Sequence, residues 1–337
     1  APLPPGRLHE MKQPLKKVAG SSLAASRARR GTSIMLRCQQ GSVLKWVLVT
    51  VQFATGASRL TSVGTASWLR SPFSRDYSYS RHGQEWQLGS CATGQQQSPI
   101  DFPWLLAAAP AGTFAHDYRP GHSSVRLSNN GHAYVIDLFG QGYGGIVYAG
   151  SWYNLLSVTV HASSEHTWAG LHKPAELHLV HKKHDDGSML VVAIPFDCAN
   201  RPGVAPLPTE ADCAKPSSAA PGFSSAVQVF LDTPPFAHQD SVVQLASSWD
   251  LNALLDGGRF FAYMGSMTVP PCAEVVTWLV RTEPLAMSDI QAGCLQIMIF
   301  NLTGSFGNNR ATMPLNGRTI SMLTAVRQNA QAEAAVG

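Results

Sequence analysis

Asn154-Leu-Leu-Ser-Val-Thr-Val-His161, followed after a turn-rich stretch by Glu176-Leu-His-Leu-Val-His181, reads as a pair of β-strands. Both runs are dense in Val and Leu and are bounded by Asn, Ser, Gly and Pro, the residues that punctuate strands. Side chains alternate along a strand, so Thr159 shares a face with His161, and Glu176 shares one with His178. An imidazole from each of two neighbouring strands, with a third nitrogen and an open position, makes a catalytic zinc site, because neutral imidazole binds Zn²⁺ at about 2.0–2.1 Å and water completes the tetrahedron. The same residues admit plainer readings. The chain has 12 histidines, and His178, His181 and His184, spaced by three, also fit a solvated edge or a helix face.

Outward from this pair, further short runs rich in Val, Ile, Leu, Tyr and Trp recur between turn clusters. They are Ser124–Leu127, His132–Leu138, Met189–Phe196, Phe260–Tyr263 and Glu274–Arg281. Two helical patterns interrupt them, Val243–Leu255 and Ser288–Phe300, the second with Ser288 as N-cap before Asp289. No internal repeat and no linker divides residues 77–325. The expectation is one mostly β domain over 77–325, preceded by a leader over 1–70 and followed by a tail over 326–337.

Composition supports this division. Of 337 residues 45% are hydrophobic and 14% charged, enough apolar material for a large folded domain. The net charge of +4 belongs to the leader: residues 1–57 hold nine Lys/Arg against Glu10, leaving 16 Lys/Arg and 20 Asp/Glu in the rest. The body is therefore acidic, which argues against nucleic acid as a partner. Residues 7–34 have the Arg/Ser/Ala composition of a targeting segment, and Met35 to Ser58 follows the charged, apolar and small-residue order of a signal peptide. Three readings stay open there: Met35 as the true start, a bipartite transit-plus-lumenal label, or an ordinary buried strand at 46–53. No apolar run reaches the roughly 18–20 residues of a membrane span, so no transmembrane segment is expected in the mature chain. Cys38 falls in the leader. Cys198 and Cys213 bracket a Pro/Ala/Ser-rich insertion that a disulfide would staple, and Cys294, beside Ile290, Ile297 and Met298, is expected as a buried free thiol. Asn301-Leu-Thr303 is a glycosylation sequon, which matters in an exported protein.

Seven motifs then occur in a telling order: Gln97-Ser-Pro-Ile-Asp101, Asn129-Asn-Gly-His132, Ser164-Glu-His-Thr167, Ala175-Glu-Leu-His-Leu-Val-His181, Tyr263-Met-Gly-Ser-Met-Thr-Val-Pro-Pro271, Val276-Thr-Trp278 and Pro314-Leu-Asn-Gly-Arg318. Together they resemble the signatures of the alpha-type carbonic anhydrases across residues 77–325. The resemblance implies a large twisted, mostly antiparallel central sheet with a few peripheral helices, and an active site in a conical cleft. It implies a disulfide between Cys91 and Cys272, as in exported members, in the extracellular space or a thylakoid lumen. It also places His161 and His178 on two of three zinc ligands and Thr159 on the lost third. Thr268 falls on the residue that orients the zinc-bound hydroxide, and Glu165 on the acid that accepts its proton. Glu176 falls on the carboxylate that fixes the third histidine's tautomer, His132 on the proton shuttle, and Val180, Met267, Val269 and Trp278 on the apolar wall for CO₂, with Val191 or Val192 as additions.

The departures cluster around one ligand. Besides Thr159, the usual Trp and Gly after the second histidine are Ala162 and Ser163, and the connection to Ser164 is shorter than usual. Ser157 replaces a supporting glutamine, and Asn309 replaces a Trp between Asn308 and Arg310. A neutral threonine hydroxyl is a poor zinc ligand beside imidazole, and catalytic zinc takes three protein ligands. The sequence therefore favours a carbonic-anhydrase-like protein with zinc held weakly or not at all. In that reading it is weakly active or inactive and serves as a binding or structural subunit of a larger assembly. The alternative is a working hydrase that interconverts CO₂ and bicarbonate through an unusual third ligand.

Overall fold

The computed structural model describes residues 77–103, 110–119, 125–198, 208–213, 218–232, 242–244 and 249–328. The leader, with its signal-like segment and Cys38, lies outside the described residues, as do Ser124, residues 199–207 of the insertion and the tail from residue 329. No described helix is long and apolar enough to cross a membrane.

Twelve strands form one mixed sheet, and the two histidine strands run through its middle. Ser151–His161 pairs antiparallel with Ala175–Lys183, which pairs antiparallel with Met189–Cys198. Next comes Val276–Arg281, parallel to Met189–Cys198, and then Arg259–Gly265, antiparallel to it. Parallel pairing recurs between Ser321–Arg327 and Pro110–Tyr118 and between Leu285–Met287 and Met189–Cys198; the remaining pairings in this sheet are antiparallel. Strand Ser321–Arg327 continues past residue 325, the expected end of the domain, and Arg327 pairs with Asp256. A small second sheet joins Asp101–Phe102, Thr167–Trp168 and Leu171–His172.

Both faces of the central sheet are covered, which is why Met189–Cys198 is a continuous apolar run rather than an alternating one. Leu190, Val192, Ile194 and Phe196 join the larger core with Val158, Val160, Leu177 and Leu179. Val191 and Ala193 point the other way, into a smaller core with Phe102, Tyr263, Val276 and Trp278. By the same alternation Thr159, His161, Glu176, His178 and Val180 stand on the side of the smaller core. His181 belongs to the opposite face, hydrogen-bonded to Tyr118 Oη at 2.8 Å and to the Leu190 carbonyl, and His184 is exposed in a turn. The three histidines thus share neither an edge nor a helix face.

Of the two expected helices, one forms among the described residues. Asp289–Thr303 is helical and starts at a capping box in which Ser288 Oγ accepts the Gln291 N–H, while Gly304 closes it in the left-handed conformation. The described residues of Val243–Leu255 do not form the other. Val242–Gln244 is a strand paired with Arg126–Asn129, Asn252–Leu254 makes a turn of 3₁₀ helix, and residues 245–248 lie outside the described residues. There Asp250 Oδ1 accepts the Asn252 N–H, and the Asn252 amide clasps both the N–H and the carbonyl of Tyr118. Tertiary pairing of a β-branched pair at the sheet edge outweighs the local periodicity.

Cys91 and Cys272 form a disulfide. The pairing expected for the insertion is corrected: Cys213 joins Cys294, not Cys198, and Cys294 is therefore no free thiol. The reason lies in the packing of the insertion. Gly293, on the long helix, leaves room for the ring of Pro208, since a Cβ there would sit 2.3 Å from Pro208 Cδ. That contact brings the short helix Glu210–Cys213 onto the long helix, one residue from Cys294.

Candidate metal centre

Thr159 stands directly across from His178 in the ladder, and His161 directly across from Glu176. Directly opposed residues share a sheet face, with Cβ atoms about 4.5–5.5 Å apart. The position filled by Thr159 is thus one from which a histidine would reach the same place as His161 and His178. The two imidazoles are buried, with ring centroids 4.3 Å apart, whereas Thr159 is half-buried.

Each imidazole is held by a partner that commits one nitrogen and leaves the other for a ligand. His161 Nδ1 lies 2.8 Å from the Asn308 carbonyl, which fixes the proton there and frees Nε2. Asn308 also grips the strand end, accepting the Ala162 N–H and donating to the Val160 carbonyl. His178 Nε2 lies 2.6 Å from Glu176 Oε1, which frees Nδ1. The same Glu176 oxygen holds His166 Nδ1 at 2.7 Å, and His166 Nε2 continues to Tyr263 Oη at 2.8 Å, which bonds Ser98. His166 is thereby a buried brace. Trp278 meets both His166 and His178 edge to face and donates its indole N–H to the Ser266 carbonyl.

Burial sets the charges. It lowers the pKa of His161, only partly offset by Glu165, and so favours the neutral, metal-binding imidazole. Burial pushes the Glu176 carboxyl up, but the charge and hydrogen bonds of His166 and His178 outweigh it and hold Glu176 well below the usual carboxylate range.

Glu165 is fully buried beside these rings. Its Oε1 accepts the Arg310 N–H at 2.9 Å, and the Arg310 guanidinium is anchored in turn on Gln97, Ser98 and the Cys91 carbonyl. Its Oε2 has no hydrogen-bond partner among the described residues, the Thr268 hydroxyl included, and lies 3.7 Å from His178 Nδ1. One ligand atom from each of His161, Glu165 and His178 fits within 4.8 Å of the others. The donor set thus fits a divalent metal through two imidazoles and a carboxylate, and does not supply three histidines.

Thr268 is buried, and Val180 and Met267 pack on the Trp278 core, with Val269 half-buried beside Thr268. His132 stacks on Tyr77 with ring centroids 3.9 Å apart and meets Tyr79 edge to face. Asn301 is exposed in the last turn of the long helix. The roles of the Asn308 carbonyl and of Tyr77 were beyond sequence reading, since a backbone acceptor and a stacking partner leave no motif. The retained Asn308 and Arg310 around the altered Asn309 were the one available signal.

The family model for eukaryotic-type carbonic anhydrase matches residues 81–324. A carbonic anhydrase of Klebsiella pneumoniae is 29% identical over 276 residues, which span 77% of this chain and 98% of that protein. The solved alpha-carbonic anhydrase of Photobacterium profundum superposes with a TM-score of 0.57 at 28% identity, over 74% of this chain and 100% of its own. Dioscorin, solved in complex with ascorbate, gives a TM-score of 0.51 at 25% identity, over 70% of this chain and 89% of its own.

Proposed function

The chain belongs to the eukaryotic-type carbonic anhydrase family, and on that premise we propose that it is a member whose CO₂ hydration is weak or lost. In this reading the rigid β scaffold serves as a binding or structural subunit in an exported or lumenal compartment. The observation that carries the reading is Thr159, seated across from His178 where a third imidazole belongs. When bound, zinc supplies a water that deprotonates near neutral pH, and this depends on three protein ligands that fix its geometry. Here His161 and His178 would hold the metal, each oriented by its own partner, and the site loses its grip where Thr159 stands.

What the remaining residues do follows from their positions. Glu176 fixes the His178 tautomer; Thr268 with Glu165 would orient an attacking oxygen only if the two side chains hydrogen-bond, a contact that Glu165 Oε2 does not make here. Val180, Met267, Val269 and Trp278 would exclude water around CO₂. His132 suits proton transfer to solvent, because an unperturbed imidazole exchanges its proton close to neutral pH. Two disulfides support an oxidising compartment. Dioscorin is an instance of this fold with an organic ligand, and the insertion between Cys198 and Cys213 is the loop on which a partner's specificity would be built.

A working hydrase with an unusual third ligand is the second reading, favoured by the intact support of both histidines by Asn308 and Glu176. Stopped-flow CO₂ hydration by the full chain with added zinc separates the two. The first reading expects a rate close to that of buffer with zinc alone; turnover in the range typical of efficient enzymes overturns it.

A further inference from the structure

We propose that the zinc this site takes up is held by His161, His178 and the carboxylate of Glu165, so that Glu165 replaces the lost histidine as third protein ligand. The inference deepens the reading of an impaired hydrase and rests on it, because a carboxylate bound to metal no longer accepts a proton from Thr268.

Three observations carry it. The first is an uncompensated oxygen. Glu165 is fully buried, Arg310 satisfies Oε1, and Oε2 has no hydrogen-bond partner among the described residues. A buried carboxylate oxygen without a partner is costly, and a cation at that point removes the cost. The second is aim. Oε2 lies 3.7 Å from His178 Nδ1, the nitrogen that Glu176 leaves available. Ligands at about 2.0–2.2 Å around a tetrahedral zinc are about 3.3–3.5 Å apart, so a closure of a few tenths of an ångström completes the pair. The third is tether length. Glu165 follows His161 by only four residues, since the connection after the strand is shortened, and the Ser164 N–H ties that turn to the Lys173 carbonyl at 2.8 Å. Glu165 is thus held close behind His161, and two histidines with one carboxylate are an established catalytic zinc set.

The assignment also accounts for a missing contact. Thr268 is buried, and its hydroxyl makes no hydrogen bond to Glu165 Oε2. An acid turned toward the metal is withdrawn from orienting the nucleophile, so metal binding and hydration come apart in this chain.

The test is a double-mutant cycle on metal affinity in the full chain, read by competition with a chromophoric chelator for Zn²⁺ and by the visible absorption of Co²⁺. Glu165→Gln keeps the shape and still accepts the Arg310 N–H; Glu165→Asp keeps the charge but withdraws the oxygen, and serves if the glutamine variant fails to fold. Native far- and near-ultraviolet circular dichroism qualifies each variant. The expected result is a loss of Zn²⁺ affinity of at least about tenfold, the lower end of what even an indirect partner of a metal ligand is worth. It comes with an altered Co²⁺ spectrum, and both losses largely disappear when Thr159→His restores a third imidazole. Unchanged affinity, an equal loss with and without Thr159→His, or a native chain that takes up neither metal overturns the assignment. The reading of an impaired hydrase fails by a separate result, efficient turnover by the native chain.

Discussion

Removing the Cys213–Cys294 bridge is expected to cost the protein a large part of its stability while removing Cys198 costs little. The bridge closes a loop with a sequence separation of 81 residues. In the chain-entropy account, a loop of this length restricts the unfolded state by about 4.5 kcal/mol at 25 °C, against about 3 kcal/mol for a loop of some 15 residues such as Cys198–Cys213 would close. Losses for native bridges run about 2–5 kcal/mol, and about 3 kcal/mol corresponds to a fall in Tm of roughly 6–12 °C for a domain of this size. The assay is guanidinium unfolding of Cys213→Ser, Cys294→Ser, the double variant and Cys198→Ser, each without reductant. Both single variants should lose the same amount, and the double variant no more than either, because one bond is removed in all three. A loss in Cys198→Ser matching that in Cys213→Ser, with Cys294→Ser unaffected, would refute the reasoning and restore the pairing across the insertion.

Two further outcomes follow from packing and charge. Gly293→Ala should lower Tm despite the roughly 1 kcal/mol that alanine gains over glycine within a helix, because its Cβ meets Pro208 Cδ at 2.3 Å; a higher Tm in thermal unfolding would show that the insertion yields freely. Burial holds the folded-state pKa of His181 down to about 3 from its ordinary 6.5. The unfolded chain therefore binds the proton first, and the contribution of this residue is complete above about pH 6.5 and is lost as pH falls toward 3. His181→Gln should consequently lose about 2 kcal/mol less than the native chain between pH 7 and pH 5 in urea unfolding; identical losses would contradict the buried neutral imidazole.

Much of the architecture was legible because it rests on period-two patterning. Asn154–His161 and Glu176–His181 announce themselves by alternation, and the structure extends them to Ser151–His161 and Ala175–Lys183. Gly144–Tyr148 was not legible, since glycine is a poor strand former. Its value here is close approach: a Cβ on Gly145 would lie 2.0 Å from the Tyr153 carbonyl oxygen. Pro110–Tyr118 and Ser321–Arg327 pair in parallel from opposite ends of the domain, a contact no local pattern encodes. Val243–Leu255 misled because a helical spacing of apolar residues also suits a short strand followed by a turn. At the site, Thr159, His161 and His178 could be placed by strand register, but the orientation of Glu165 could not. It depends on Arg310, 145 residues away, which takes one carboxylate oxygen and leaves the other facing the histidines.

Loss of hydration rests on one side chain, Thr159, and CO₂ hydration measured by stopped flow on the native full chain and on Thr159→His, both equilibrated with zinc, tests this most directly. A native rate near background and a gain of orders of magnitude in kcat/KM on adding the imidazole across from His178 is the predicted result. Thr159→His that binds zinc no more tightly and hydrates CO₂ no faster than the native chain would contradict it.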